Sequence, residues 1–506
     1  MSRGRDGRDP AELLADFGHR VPTITPPVRP PRQPRVFTPA PLRGRARRDA
    51  GWSPAPAPVS VWRMTSDQAP VLWPLIAAPA LPQTGAQIGI DLLSGGTFHA
   101  DPVGWVLDDA IAVTNPNLFV FGKPGRGKSG TTKAFCLRMI DFGYRVLILG
   151  DVKDEYEPLC RALGVDPIAI GHGLPGRINP LDPGPLGQDW TSLTRAETDR
   201  RTQLLFARWL TLIRGLVGSQ HIGSARVPFG PSDEVVTKTA LSHLTGHDTA
   251  NSRLAPVTIP QLWQALDQPT ADLIAGCRYA DTRQFLDETR LLRDALGQLV
   301  TGTLAGLFDA PTDIAIDWTA PIQSLSLSRL EALGDEPVAI ALTCLNSWGR
   351  GQRELAAPGE LRIVVRDESW RQLRLGVEAV KAFDADLRLS RSAGDVQLAV
   401  CHKPSDLLSS GDAGSQAVAI AKDLLHLADI HVLHGQDAAV ADELDQLLGL
   451  GPIQRNLITG WAMQGKGRAL WRVGDRDYKV QTVLHPFEAT ELTNTNTLLE
   501  SSRTPA

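Results

Sequence analysis

Residues 122–129 read Gly-Lys-Pro-Gly-Arg-Gly-Lys-Ser, a complete Gly-x4-Gly-Lys-Ser pattern, and no other stretch constrains the fold as strongly. The apolar run Leu118–Phe121 precedes it and a helix-forming stretch over residues 131–139 follows. This is the strand–loop–helix order in which such a loop cradles phosphate. Glycines let the backbone turn tightly enough for successive N–H groups to converge on an anion, and a helix beginning near Lys128 adds its positive dipole end. Gly122, Lys123, Pro124, Gly125, Arg126, Gly127, Lys128, Ser129 and Gly130 are therefore the expected nucleotide-binding residues (the Walker A motif). Lys128 is expected to reach the β- and γ-phosphates of ATP, and Ser129 to take one Mg2+ position.

Composition narrows the setting. A chain of 506 residues can hold two or three domains, or one large domain with an insertion. Its 42% hydrophobic and 21% charged residues are those of a soluble globular protein. A net charge of -4 carries no global nucleic-acid signature, so any DNA contact must come from local patches. Five cysteines are scattered without paired ligand spacing and read as reduced, buried thiols. The most apolar run, residues 71–81, falls short of the ~18 residues that cross a bilayer and is broken by Pro74 and Pro79. The N-terminus opens on Arg and Asp instead of an apolar core, so no secretory signal is expected. A cytoplasmic protein follows, with peripheral membrane association through partners.

Residues 1–65 are rich in proline and arginine, with a cluster at Arg43, Arg45, Arg47 and Arg48. Such a segment cannot bury enough apolar surface to offset its ordering entropy and is expected to be disordered. It reads as a solvated extension, a contact for nucleic acid or anionic lipid, or a tether. Residues 66–190 and 311–490 read as two halves of one α/β core, with strands at 118–121, 145–149, 167–170, 322–327, 361–365, 396–401 and 430–433. Helical patterns at 133–142, 155–163, 338–348, 369–387 and 416–427 alternate with them, which predicts a parallel sheet covered on both faces. Residues 191–310 break the rhythm with helical patterns at 198–216, 232–244, 259–266 and 282–300, and are expected to form a helical insertion. Residues 468–473 and 478–483 form a terminal hairpin turning at Gly474-Asp475, and 491–506 a C-terminal tail.

A second motif narrows the chemistry. The apolar run from Leu361 ends in Asp367-Glu368, the Walker B arrangement, in which Asp367 serves the Mg2+ shell and Glu368 polarises the attacking water. That adjacent glutamate favours hydrolysis over phosphate transfer to a metabolite. Arg366 is awkward so late in a buried strand; either its stem snorkels to the sheet edge or the strand ends one residue earlier. Arg391 is the first candidate for a cation supplied to a neighbouring subunit's transition state, and Arg468 the second. His402, at the end of the 396–401 strand, stands where a γ-phosphate sensor belongs.

The chain resembles the ATPases of conjugative transfer and type IV secretion, the TraC-like branch of the HerA–FtsK motor superfamily, from about residue 72 to 487. The matching residues are Trp73-Pro74, Ile88-Gly89-Ile90-Asp91, Asn115-Pro116-Asn117, Asp151-Val-Lys153-Asp-Glu155-Tyr156, Asn179-Pro180-Leu181-Asp182, Gly306-Leu307-Phe308-Asp309 and Asp367-Glu368-Ser369-Trp370. The resemblance implies a RecA-like core, ATP hydrolysis, and homo-hexamers docked on transfer machinery at the inner face of the cell membrane. Three departures stand out. The family's long N-terminal domain is replaced by the Pro/Arg tail, its Thr-Gln after the sensor strand is Cys401-His402, and Arg366 replaces an apolar residue. The competing readings are a hexameric translocase that itself pumps DNA and a nucleotide-binding scaffold without turnover.

Overall fold

The structure, a computed structural model, describes residues 81–493 except 175, 188, 223–224, 248–253, 303, 315–316, 318–319, 354–358, 368–369, 374–376 and 406–415. The expected N-terminal tail, Trp73-Pro74 and the C-terminal tail lie outside the described residues, apart from positions 491–493. The chain divides after Ile76, and every described residue belongs to the unit that begins at Ala77.

Thirteen strands are described: β1 (Ala86–Asp91), β2 (Thr97–Ala100), β3 (Leu118–Phe121), β4 (Tyr144–Asp151), β5 (Ile168–Ala169), β6 (His221–Ile222), β7 (Ala225–Arg226), β8 (Ile322–Ser326), β9 (Leu361–Asp367), β10 (Asp395–Cys401), β11 (Ile430–His434), β12 (Arg468–Val473) and β13 (Arg476–Thr482). Eleven of them form one sheet in the order β2-β1-β13-β12-β11-β3-β10-β9-β4-β8-β5. From β11 to β5 every pairing is parallel. The expected parallel sheet is thus present, but it is longer and mixed. The β12–β13 hairpin pairs antiparallel with β11 and carries β1 and β2 at its far edge. Strands β1 and β2 escape sequence patterning because they flank a turn held by Asp91, whose carboxylate accepts from the N–H groups of Leu93 (3.1 Å) and Ser94 (3.2 Å).

Side chains alternate across the sheet. Ile363 and Val365 of β9 face Val120, Val400, Phe135 and Met139, beneath the Lys128–Ile140 helix. On the opposite face Phe119, Phe121 and Ala399 pack against Val380, Phe383 and Leu387 of the Val377–Ala393 helix. Between β5 and β8 the expected helical insertion appears as the helices Arg195–Gly218, Pro231–Thr245, Ile259–Asp267, Ala271–Gly276, Thr282–Glu288 and Arg290–Thr301, with β6 and β7 as a short ribbon among them. The pattern at 282–300 is broken at Thr289, which leaves helical geometry and whose Oγ1 donates back to the Phe285 carbonyl (2.7 Å). The insertion shares one apolar core with Leu149, Leu325 and Val364 of the sheet.

Arg366 contradicts both sequence expectations. The strand runs through it to Asp367, and its side chain is 6% exposed, so it does not snorkel. Alternation places it on the face of Val364, where acceptors surround it. Its Nε donates to Gln397 Oε1 (2.9 Å), Nη2 to Asp386 Oδ2 (2.7 Å) and Nη1 to Asn346 Oδ1. The guanidinium also lies over the Phe383 ring, 5.1 Å from its centroid. A buried charge is tolerated where paired and hydrogen-bonded in this way.

Candidate functional site

The phosphate loop leaves the C-terminal end of β3 and is braced from the neighbouring strands. The Lys123 N–H donates to the Gly435 carbonyl just past β11 (3.0 Å), and Gly467, just before β12, donates to the Arg126 carbonyl (3.0 Å). Two glycines are obligatory for this packing. A Cβ on Gly122 would lie 2.6 Å from the Cβ of His434, and one on Gly127, where φ is 98°, would lie 2.5 Å from the Gly467 nitrogen. Gly127 caps the Lys128–Ile140 helix without any side-chain hydrogen bond, so the helix N-terminus carries no internal anion surrogate. Such an end, with a cation beside it, suits phosphate.

Lys128 is buried, and its Nζ donates to the Gly122 carbonyl (2.6 Å) and meets Nδ1 of His402 (3.1 Å). With an ammonium as donor, Nδ1 accepts and the imidazole proton sits on Nε2. His402 therefore lies beside the lysine of the phosphate loop. His434 lies beneath the loop, fully buried. Burial, and secondarily the Lys128 charge, push its pKa down to about 3, which keeps the ring neutral.

The signature Asp151–Tyr156, to which the sequence alone assigns no chemistry, supplies the opposite wall. Buried Asp151 at the end of β4 accepts from the N–H groups of Lys153 (3.3 Å), Glu155 (3.0 Å) and Tyr156 (2.8 Å). Burial raises its pKa against these three donors. The turn they fix aims Tyr156 at Asp367, and its hydroxyl donates to Oδ2 at 3.4 Å. Burial first, then the nearby Asp367 charge, raises the Tyr156 pKa well above 10, so it remains a donor. Lys133 sits 5.7 Å from the Tyr156 ring centroid; burial lowers its pKa, opposed by Glu155, Asp151 and Asp367. One carboxylate oxygen of Glu155 is buried without a hydrogen-bond partner among the described residues.

These groups converge. Lys128, Ser129, Lys153, Glu155, Asp367 and His402 line one cavity of about 440 Å3, with Lys466 and Thr482 entering from the β12–β13 side. Glu368 lies outside the described residues. Arg391 does not join the cavity of its own chain. It stands in the last turn of the helix before β10, at the sheet edge away from the phosphate loop, and its Nη1 reaches the Thr114 carbonyl (3.4 Å). Arg468 is held by Gln481 Oε1 (3.2 Å) and lies over the Trp461 ring. The second signature is architectural: Asn179 donates to the Val257 carbonyl (2.8 Å) and its Oδ1 accepts from Leu181, tying the insertion to the core.

A strand-ending phosphate loop, a buried lysine and an acid two strands away in one sheet invite comparison with known folds. VirB4 of Thermoanaerobacter pseudethanolicus superposes with a TM-score of 0.61 at 19% identity, over 81% of this chain and 100% of that one. The chain shares its fold with VirB4. The plasmid coupling protein TrwB, in complex with ADP and Mg2+, matches at a TM-score of 0.51 and 15% identity, over 81% of this chain and 92% of that one. An unbound form of the bacterial conjugative coupling protein TrwB matches at 0.50 and 14% identity, over 80% and 90%. No protein-family model matches the sequence, and no curated protein does. The architecture is therefore a RecA-like P-loop core, the fold it shares with VirB4 and TrwB. Among the described residues, no helix is long and apolar enough to cross a membrane.

Proposed function

We propose that the chain is a Mg2+-dependent ATPase of the conjugative transfer and type IV secretion family, a motor that energises DNA transfer or the secretion channel. The observation that carries this reading is the convergence of Lys128, Ser129 and Asp367 on one cavity at the C-terminal edge of a parallel sheet. Ligands of open α/β sheets bind at that edge.

The residues present fit the nucleotide and its metal. The uncapped helix N-terminus and buried Lys128 match phosphate charge, and the Ser129 hydroxyl and Asp367 carboxylate are hard oxygen donors suited to Mg2+. Among the described residues no cluster of three or more His, Cys, Asp or Glu could hold a metal. Mg2+ takes few protein ligands and completes its shell with phosphate and water. Ser129 and Asp367 would hold the ion, which would supply neutralisation of charge on the β- and γ-phosphates of the nucleotide. Lys128 binds those phosphates and His402 contacts the terminal one. Tyr156 orients Asp367, and Glu368 orients the attacking water. Arg391 serves the site of a neighbouring subunit in a homo-hexamer docked on inner-membrane transfer machinery.

The relatives in fold favour a transfer-machine motor over a scaffold without turnover: the full length of the VirB4 structure is spanned. Phosphate release measured with and without single- and double-stranded DNA, alongside the oligomer mass, tests the motor reading. ATP turnover with hexamer formation is expected. A strictly monomeric protein whose Glu368→Gln variant turns over ATP at the wild-type rate would refute it.

A further inference from the structure

The cavity at the phosphate loop has two unlike halves. Lys153 and Glu155 after β4, Asp367 at the end of β9 and His402 after β10 stand on one side of β3 in the sheet. On the other side β12 and β13 bring Lys466 and Thr482 to the same edge, and the chain beyond β13 adds Leu484, Ala489 and Thr493. Charge is thus concentrated in the first half, while the second, apart from Lys466, is hydroxyl and hydrocarbon.

This second wall is fixed to the helix whose N-terminus forms the loop. Beyond β13 the chain makes one π-helical turn, Glu488–Leu492, a geometry that is rare and concentrated at functional sites. Glu488 is buried and accepts from both Nε (3.0 Å) and Nη2 (2.5 Å) of Arg138, a bidentate pair. Lys133 Nζ donates to the Leu492 carbonyl (3.1 Å), and Thr131 Oγ1 meets Thr482 Oγ1 at 3.0 Å. Thr131, Lys133 and Arg138 all belong to the Lys128–Ile140 helix. Beside Ser129, Gly130 faces the wall directly: a Cβ there would stand 3.8 Å from Thr493 Cγ2 and 3.9 Å from Leu484 Cδ1. Leu484 and Thr493 are half-buried and Ala489 is exposed, so the surface is open to an occupant.

We propose that this wall seats the base and ribose of the bound nucleotide, an assignment that rests on the nucleotide reading of the cavity. A nucleoside triphosphate has the same polarity as the cavity, a charged phosphate chain at one end and a flat ring with ribose hydroxyls at the other. With its terminal phosphate toward Asp367 and His402, the nucleoside is directed to Leu484, Ala489 and Thr493. The first two offer hydrocarbon to the ring, and a threonine hydroxyl can donate to or accept from the ribose. At about 440 Å3 the cavity lies within the roughly 300–1,000 Å3 of pockets for drug-sized ligands, which leaves room for more than phosphate. Titration calorimetry of the full chain with ADP, which avoids turnover, and with pyrophosphate tests the seat, both in excess Mg2+. The wild type should bind ADP more tightly than pyrophosphate. Leu484→Ala, which strips hydrocarbon from the wall, and Ala489→Ile, which crowds it from an exposed position, should each weaken ADP about tenfold, about 1.4 kcal/mol, and leave pyrophosphate within about twofold. A wild type that binds pyrophosphate as tightly as ADP overturns the seat. So do variants of unaltered melting temperature that bind ADP as the wild type does, or that lose ADP and pyrophosphate together. Binding of neither ligand by the wild type would remove the nucleotide reading itself, and the seat with it.

Discussion

The ammonium of Lys128 lies 3.1 Å from Nδ1 of His402, at the end of a strand paired with β3. Under the proposed function, phosphate would draw the lysine from this contact and the ring would then face the terminal phosphate. Removing that ring in His402→Ala should lower kcat about 10²-fold, the usual cost of one transition-state donor, with ATP affinity little changed. Steady-state kinetics checks this, and an unchanged kcat would remove His402 from the site.

Tyr156 is expected to act through Asp367 and not on the nucleotide directly. Tyr156→Phe loses one long hydrogen bond (3.4 Å), a change of about 1 kcal/mol. The signature of a positioning role is a higher Mg2+ concentration for half-maximal activity, with ATP affinity at saturating Mg2+ preserved. A Mg2+ titration of the phosphate-release rate that superposes on wild type would contradict it.

Arg366 binds two helices to the strand that ends in Asp367. Arg366→Ala removes one of the two arginines paired with buried Asp386, and should destabilise the protein by about 3 kcal/mol. Urea denaturation reads this as a lower midpoint. Stability equal to wild type would mean that the network contributes nothing.

Acid sensitivity should arise in part from two buried histidines of β11, His431 near its start and His434 at its end. His431 and His434 have pKa values pushed down to about 4 and about 3, chiefly by burial, from an ordinary value of 6.5. The unfolded chain binds these protons more readily, so stability falls as pH drops from about 6.5 toward 4, by about 1.4 kcal/mol per unit for each ring. His431→Gln should flatten this slope relative to wild type, a comparison in which other titrating groups cancel. Parallel stability curves for the two proteins between pH 6 and 4.5 would rule the mechanism out.

The phosphate loop and its flanking strand and helix were legible because local glycine chemistry and a buried apolar strand leave few alternatives. The insertion was legible from a change of period. Other features depended on contacts that no local pattern records. Arg366 reads as an error in a buried strand until Asn346, Asp386 and Gln397 are brought to it from three other elements. Tyr156 looked like a family mark, and its aim at Asp367 appears only when β4 and β9 pair in register. His434 and Gly122 constrain each other across 312 positions, a distance that a sequence pattern does not bridge.

The most direct test of the central claim is Mg2+-dependent phosphate release from ATP by the wild-type chain and by Lys128→Ala. The wild type should turn over ATP, and the variant, lacking the buried cation on the cavity wall, should neither bind nor hydrolyse it measurably. Equal ATP binding and turnover by the two proteins would contradict the account.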